Sequence, residues 1–224
     1  MIEGVLIDLD NTLYDYSLVH TAAWKHTVQF AKKQLHLANF DKLICEARRQ
    51  VHIDLADTAA SHNRLLYFQK ALELAGCPSI IAAKTLYDTY WNCFLDKMKL
   101  SKGVLKFLQL NQQKKICILT DLTALIQYQK LIRLKIAPYI HEIVTSEEVG
   151  AEKPSVRMFN AALNKLKLSP KQVCMIGDNY EKDILGALQA GIKPYWKVTK
   201  EVKPVTVPDS VVIFKSFSEL VGKI

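Results

Sequence analysis

Short apolar runs recur along the chain, separated by longer polar and mixed stretches. Runs of four to six mainly apolar residues are typical of parallel strands whose two faces are both covered. The six predicted strands are Gly4–Leu9, Lys115–Leu119, Glu142–Thr145, Gln172–Ile176, Lys193–Val198 and Val211–Phe214.

After residue 100 the runs alternate with stretches of helical period. Apolar residues recur at the spacing of an amphipathic helix in Leu122–Leu134, Ser155–Leu166 and Lys182–Ala190. Strands that alternate with helices indicate a parallel sheet with helices on both faces. The pattern therefore predicts an α/β fold whose core is a doubly wound, mainly parallel, Rossmann-like sheet.

The interval between the first two strands lacks a strand pattern. It contains four amphipathic stretches instead, namely Val19–Leu35, Asp41–His52, Arg64–Ala75 and Ile80–Met98. We interpret it as an inserted α-helical cap domain, a four-helix bundle over residues 16–99. Residues 1–15 and 100–224 would then form the Rossmann-like core. A lid in this place could close over the carboxyl edge of the sheet, where open α/β sheets bind ligands.

Charge and cysteine content narrow the class of protein. The chain of 224 residues has 30 Lys and Arg against 22 Asp and Glu, a net charge of +8. The basic residues are dispersed, so we expect attraction of anionic small molecules and no nucleic-acid partner. Five cysteines without a Cys-x-x-Cys pair, and no apolar run long enough for a membrane span, favour a reducing cytoplasmic setting. We expect a monomer or a homodimer.

The first predicted strand ends in two acidic residues, Asp8 and Asp10. Residues two apart in an extended chain point to the same side, so both carboxylates are expected at one site. Two carboxylates this close repel each other unless a cation or a shared proton compensates. Mg²⁺ is the predicted cation, because it is a hard ion that takes oxygen ligands. For an isolated Asp-x-Asp pair, a turn-capping role is also open.

Polar residues follow later strands as well. Thr120 follows the second strand, Lys153 comes after the third, and Asp178 and Asp183 follow the fourth at a glycine-containing turn into a helix. Singly, each has an ordinary reading as a helix cap, a solvated side chain or a first-turn acid. Because all of them come in order after predicted strands, we interpret them as one site at the carboxyl edge of the sheet.

Taken together, these residues resemble the four signature motifs of the haloacid dehalogenase-like hydrolase superfamily. The resemblance spans nearly the whole chain, and the helical insertion is similar to that of members with a cap after the first strand. The motif residues are Asp8-x-Asp10-x-Thr12, Thr120, Lys153 and Gly177-Asp178 followed by Asp183. The resemblance implies a Mg²⁺-dependent phosphatase that hydrolyses a small phosphorylated metabolite through an aspartyl-phosphate.

The resemblance also implies catalytic roles. Asp8 would attack phosphorus, and Asp10 would protonate the leaving group and then deprotonate water. Thr120 would donate a hydrogen bond to a phosphoryl oxygen, and Lys153 would neutralise negative charge. Phosphoryl transfer needs this kind of positioning and charge cancellation.

Metal and substrate ligands follow from the same motifs. The Mg²⁺ ligands would be the side chains of Asp8 and Asp178 and the backbone carbonyl of Asp10, with Asp183 at the edge of the metal site. The predicted substrate-binding residues are Thr12, Thr120, Asp121, Lys153, Asn179 and Arg64. Of these, Arg64 could bind a second anionic group, or it could lie on the solvent face of its helix. Tyr14 and Tyr16 are further candidates for substrate selection.

Three other functions stay open at this point. A phosphomutase uses the same groups. A 2-haloacid dehalogenase resembles the pattern but lacks an aspartate in the place of Asp10 and needs no Mg²⁺. A receiver-like phospho-switch, which is a binding module, also places acidic residues, a hydroxyl and a lysine around Mg²⁺. Its phosphorylated aspartate, however, follows a later strand.

Overall fold

The chain forms two compact units in the computed structural model, which describes residues 1–56, 58–198 and 207–224. One unit comprises Met1–Asp15 with Lys99–Ile224, and the other comprises Tyr16–Met98. The predicted boundary after residue 99 is therefore one residue late. The last helix of the second unit ends at Lys97, and Leu100 already pairs with Tyr14 in a short β-bridge.

The first unit is built on a six-stranded sheet in which every neighbouring pair of strands is parallel. The strands are β1 (Gly4–Ile7), β2 (Lys115–Thr120), β3 (Glu142–Thr145), β4 (Val173–Gly177), β5 (Lys193–Lys197) and β6 (Val212–Phe214). Their order is β3-β2-β1-β4-β5-β6. This is the doubly wound order, and it confirms the predicted α/β fold.

The strand β1 lies at the centre of the sheet. Gly4 aligns with Lys115 of β2 on one side and with Val173 of β4 on the other. Val5, Leu6 and Ile7 are completely buried, because helices cover both faces of the sheet. Connections run in opposite directions from β1, so the crevice beyond its carboxyl end is the expected ligand site.

In its described residues, the second unit contains four α-helices close to the predicted positions, and a short 3₁₀ helix at Ala59–His62. The α-helices are α1 (Tyr16–Gln34), α2 (Phe40–Asp54), α3 (Arg64–Leu74) and α4 (Ile80–Lys97). The helix α1 packs on α4, and α2 packs on α3. Asn63 and Ser79 cap the starts of α3 and α4, since their side-chain oxygens accept backbone N–H groups at 3.0 and 3.2 Å.

The helices of the sheet unit include two that the periodicity did not predict. The α-helices of this unit are α5 (Val104–Leu110), α6 (Ala124–Arg133), α7 (Ser146–Val149), α8 (Val156–Leu166) and α9 (Gly186–Gln189). The unpredicted α5 and α7 have seven and four residues, too few for a periodic pattern. The predicted helix at Lys182 begins earlier, as a π-helical segment over Tyr180–Leu185 that leads into α9. No helix in the described parts of the chain combines the length and apolar character needed to span a bilayer.

One face of the sheet packs against α8. Residues two apart on a strand share this face, as Cys117 and Leu119 do on β2 and Val173 and Met175 do on β4. The helix contributes residues three and four apart, which are Met158, Phe159, Ala162, Leu163 and Leu166. Cys117 and Cys174 are both completely buried, so these two cysteines are core residues.

Truncation of this core should destabilise the sheet unit. Phe159→Ala removes a completely buried ring, and we expect it to lower the free energy of unfolding by about 3–5 kcal/mol. Val156→Ala is the matched control, because Val156 lies on the same helix with 44% of its surface exposed. The control should change stability by no more than about 0.5 kcal/mol. Urea unfolding would measure both, and similar losses would contradict this assignment of the core.

Candidate active site

Three carboxylates lie together at the carboxyl end of the sheet. Asp8 follows β1 directly, and Asp178 follows the adjacent parallel strand β4, so the alignment of Ile7 with Ile176 brings the two acids to the same edge. Asp183 reaches the same place from the π-helical segment. Each of the three offers a carboxylate oxygen, and these oxygens lie within 4.8 Å of one another.

Asp183 lies against the end of β4 because Gly177 has no side chain. A Cβ atom at residue 177 would lie 2.3 Å from Oδ2 of Asp183, which is closer than real contacts allow. The backbone N–H of Asn179 donates to that Oδ2 at 3.0 Å, and the side chain of Asn179 caps the segment by accepting the N–H of Lys182. The Gly-Asp-Asn turn thus places the third carboxylate.

Lys153 is the cation within this group. Its Nζ lies 2.7 Å from Oδ1 of Asp8 and 2.7 Å from Oδ1 of Asp183. Burial lowers the pKa of Lys153, but Asp183 and Asp8 raise it well above its usual range, so the ammonium stays charged. Asp121 holds the lysine in place by accepting its backbone N–H at 3.0 Å.

Burial, together with repulsion between the carboxylates, shifts Asp8 and Asp178 towards protonation. Burial raises the pKa of Asp8 well above its usual range, because attraction to Lys153 is opposed by repulsion from Asp183 and Asp178. Burial and Asp183 raise the pKa of Asp178 to about 6. Three carboxylates and one ammonium leave a deficit of positive charge in a group of hard oxygen donors. This donor set fits Mg²⁺, with Asp8, Asp178 and Asp183 as the residues that could hold it.

Asp10 has different partners from Asp8. Its two carboxylate oxygens accept hydrogen bonds from Nζ of Lys130 at 2.7 and 2.9 Å, and the hydroxyl of Tyr14 also donates to it. Burial raises the pKa of Asp10, but the charge and hydrogen bond of Lys130, with further bonds from Tyr14 and Gln127, bring it below its ordinary value. The two carboxylates line the same cavity, as expected, but have different partners, and their compensation by one cation stays a prediction. The strand ends at Ile7, and the alternation of side chains does not continue beyond it.

A buried lysine binds the backbone of the turn after Asp10. Asn11 adopts a left-handed conformation with φ of 65°. Nζ of the buried Lys197 donates to the backbone carbonyls of Asn11 at 2.8 Å and Thr12 at 2.7 Å. The hydroxyl of Thr12 donates to Oδ1 of Asp178 at 3.2 Å, and Thr12 is completely buried. This geometry favours a role for Thr12 in positioning Asp178. It does not favour the predicted contact between Thr12 and the substrate.

An open cavity of about 160 Å³ brings most of the predicted site residues together. It is lined by Asp8, Asp10, Asn11, Thr120, Asp121, Lys153, Asp178, Asn179, Lys182 and Asp183. Thr120 is the last residue of β2, and its Oγ accepts the side-chain amide of Gln127 at 2.5 Å, which leaves the hydroxyl proton free to donate. Lys182 bridges Asp121 and Glu152 at 2.9 and 3.0 Å.

Arg64 lies in the helical unit, at the start of α3. It is 7% exposed, so the alternative of a solvent-facing side chain is wrong. Its guanidinium donates to the hydroxyl of Tyr16 and lies 5.6–6.0 Å from the ring centroids of Tyr67, Tyr90 and Trp91. Its contact with substrate stays a prediction.

The residues missed in the sequence are Lys130, Gln127, Lys182 and Lys197. The signal for the first two was present, since Gln127 and Lys130 occupy the buried stripe of α6 together with Ile126 and Leu131. A lysine on the apolar face of a helix needs a buried partner. Tyr14, a candidate for substrate selection, is completely buried and donates to Asp10 instead.

Comparison with known proteins agrees with this geometry. Residues 2–191 match the model of the haloacid dehalogenase-like hydrolase family. Ribulose-1,5-bisphosphate 5-phosphatase of Halopiger xanaduensis is 40% identical over 86% of this chain and 83% of its own. Glyceraldehyde 3-phosphate phosphatase of Methanopyrus kandleri is 32% identical over 86% and 82%. The crystal structure of a 2-haloacid dehalogenase from Pseudomonas syringae superposes with a TM-score of 0.77, at 24% identity over 98% of this chain and 96% of that one, which shows the shared fold.

Repulsion among the three clustered carboxylates should lower the free energy of unfolding of the metal-free protein at neutral pH. The pKa of Asp178 is about 6 in the folded chain against 3.8 as its ordinary value, so the ionised form is disfavoured by folding. We expect Asp178→Asn to raise the free energy of unfolding by about 1–3 kcal/mol in EDTA near neutral pH. The gain should shrink as the pH falls through 6, because wild type then takes up the proton.

Urea unfolding in EDTA at a series of pH values would measure this gain. Asp209→Asn, at an exposed aspartate of the same unit, serves as the control and should show no such gain. A less stable Asp178→Asn protein at neutral pH would contradict the assigned charge imbalance.

Proposed function

Because the chain belongs to the haloacid dehalogenase-like hydrolases, we propose that it is a phosphatase that hydrolyses phosphate monoesters of small metabolites. The observation that carries the proposal is the position of Asp8. It lies at the tip of the central strand, with Nζ of Lys153 2.7 Å from its carboxylate and two further carboxylates in the same group. A carboxylate that is paired with an ammonium group, and that belongs to a set of oxygen donors suited to Mg²⁺, is placed for nucleophilic attack on a phosphate ester.

The reaction proceeds in two displacements. A carboxylate oxygen of Asp8 forms a bond to phosphorus while the bond from phosphorus to the ester oxygen breaks, and protonated Asp10 gives its proton to the leaving alkoxide. Water then attacks the phosphorus of the aspartyl-phosphate, and Asp10 takes a proton from it. Phosphate leaves, and Asp8 is regenerated as a carboxylate. Division into two steps replaces one difficult displacement by two easier ones.

The remaining residues of the cavity manage charge and position. Lys153 neutralises part of the charge on the transferring group, and the hydroxyl of Thr120 donates to one of its oxygens. Asp121 accepts hydrogen bonds from the backbone N–H of Lys153 and from the side chain of Lys182. These contacts support a positioning role for Asp121 better than a direct contact with substrate. Asn179 lines the cavity and orders the turn that carries Asp183.

Mg²⁺ is the proposed cofactor. The carboxylates of Asp8 and Asp178 and the backbone carbonyl of Asp10 would hold it, with Asp183 at the edge of the site. When bound, Mg²⁺ supplies positive charge, because Lys153 alone does not balance three carboxylates and a phosphate ester.

The relatives support a narrower substrate class. Two relatives that cover more than four fifths of this chain are named for ribulose 1,5-bisphosphate and glyceraldehyde 3-phosphate. We propose short phosphorylated sugars as substrates of this chain. Asp10 argues against a dehalogenase, because carbon–halogen cleavage needs no acid at that place. The position of Asp8 after the first strand argues against a receiver-like switch. The cytoplasmic setting and the oligomeric state stay predictions.

Removal of the nucleophile should abolish turnover. We expect Asp8→Asn to lower kcat/KM by at least about 10³-fold, as loss of a catalytic nucleophile does elsewhere. Phosphate release would be measured on a panel of phosphorylated sugars that includes glyceraldehyde 3-phosphate and ribulose 1,5-bisphosphate, with MgCl₂ and with EDTA. Asp209→Asn should retain wild-type rates. The proposal fails if wild type releases no phosphate in the presence of Mg²⁺, or if Asp8→Asn stays active.

Arg64 is retained as the proposed ligand of a second anionic group. Its support is a buried guanidinium that stacks on aromatic rings and makes no ion pair with a carboxylate among the described residues. Arg64→Met should lower kcat/KM about 10-fold or more for ribulose 1,5-bisphosphate, because a charge-assisted hydrogen bond is lost. Glyceraldehyde 3-phosphate should be affected less.

The control for this change is Lys70→Met, at a partly exposed lysine of the same helix. Rates with both substrates would be compared, together with thermal unfolding of each variant. An equal loss on both substrates would show that Arg64 supports the helical unit and does not select the substrate.

A further inference from the structure

The helix α6 carries two polar side chains on its buried face. Gln127 and Lys130 are both completely buried, and they lie three residues apart, so they project to the same side. A buried ammonium group is strongly destabilising unless it is paired, and an apolar side chain of similar size would pack there without that cost. The retention of a lysine at this place therefore points to a role beyond packing.

Both side chains reach residues of the proposed acid/base and phosphoryl sites. Lys130 donates to both carboxylate oxygens of Asp10 at 2.7 and 2.9 Å. The amide of Gln127 lies 3.4 Å from Asp10 and 2.5 Å from Oγ of Thr120. The hydroxyl of Tyr14 donates to Asp10 from its own turn. Three donors from two segments thus fix the orientation of one carboxylate.

Lys130 acts from behind this carboxylate. Among the described residues that line the cavity, Asp10 and Thr120 are present and Lys130 and Gln127 are not. Lys130 contacts the lining of the cavity at Asp10, through both of its carboxylate oxygens. The cation that faces the cavity beside Asp8 is Lys153.

We propose that Lys130 is a positioning residue that holds Asp10 in the orientation needed for proton transfer to the leaving group, with Tyr14 as its second support. The inference rests on the proposed function, since it requires Asp10 to be the acid and base. A general acid contributes only when it lies within hydrogen-bond reach of the atom it protonates. An aspartate that rotates freely about its side-chain bonds spends much of its time outside that reach.

The dependence of rate on the leaving group tests this role. An alkyl phosphate needs a proton on its leaving oxygen, whereas p-nitrophenyl phosphate releases a stable anion that needs none. Lys130→Met should lower kcat/KM for the alkyl sugar phosphate by about 10²-fold, within the range that general acid catalysis contributes, and for p-nitrophenyl phosphate by less than about 5-fold. The value of kcat/KM reports the steps up to formation of the aspartyl-phosphate, so the later role of Asp10 as a base does not obscure the comparison.

Tyr14→Phe is the second variant, because it keeps the buried ring and removes only the hydroxyl. It should show the same preference for the aryl ester with a smaller loss. It also keeps the test valid if Lys130→Met does not fold. Lys165→Met is the control. Lys165 lies on α8, pairs with Glu148 at 2.7 Å and is not among the residues that line the cavity. The control should leave both rates unchanged.

The rates with the two esters distinguish a positioning role of Lys130 from a structural one. A split between the two esters in a folded Lys130→Met or Tyr14→Phe protein supports the positioning role. An equal loss on both esters overturns it and makes the lysine a structural residue. Failure of the proposed function is distinguished by wild type, which would then release phosphate from neither ester and overturn both proposals.

Discussion

Three carboxylates and one ammonium group share the carboxyl end of the sheet, and this excess of negative charge is the constraint on which the rest of the site depends. Asp8, Asp178 and Asp183 are brought together by two adjacent parallel strands and the turn that follows the second. Lys153 offsets part of the repulsion, and hydrogen bonds such as that from Thr12 disperse more of it. A phosphate ester adds further negative charge to the same place. A further cation would offset this charge, which is the physical reason for Mg²⁺ in the proposed mechanism.

The two acids that follow β1 are separated by one residue and have opposite environments. Asp8 is buried beside Lys153 and two other carboxylates, and burial, with repulsion from those carboxylates, raises its pKa. Asp10 accepts two hydrogen bonds from Lys130, and its pKa is lowered despite burial. Asp10 must carry a proton to act as the acid, so its pairing with Lys130 orients this carboxylate and does not favour its protonated form. Asp8 must be ionised to act as the nucleophile, and a cation bound beside it would favour that form. The two acids thus have separate partners. The fold achieves this by ending the strand at Ile7, after which the turn held by Lys197 directs the second carboxylate towards α6.

Much of this arrangement could be predicted from the sequence, because parallel strands end at a common edge. Once the apolar runs were identified as strands, the polar residues that follow them had to lie near one another. Thr120, Lys153 and Asp178 line one cavity with Asp8 for that reason. The prediction was least accurate where backbone geometry departs from the regular period. The π-helical segment at Tyr180, the short helices α5 and α7, and the early end of β1 leave no periodic trace.

The partners of the site residues were harder to predict, for a different reason. Hydrophobic patterning treats a polar residue within an apolar stripe as an interruption, although burial makes such a residue informative. Lys130 in α6 and Lys197 in β5 both lie in elements that the pattern identified, and both are buried. A buried ammonium group requires oxygen partners, and here these are a carboxylate in one case and two backbone carbonyls in the other. Both lysines bind the residues that follow β1. Lysines on the apolar faces of predicted elements therefore indicate a loop that buried cations hold, and in this chain that loop carries the proposed acid and base.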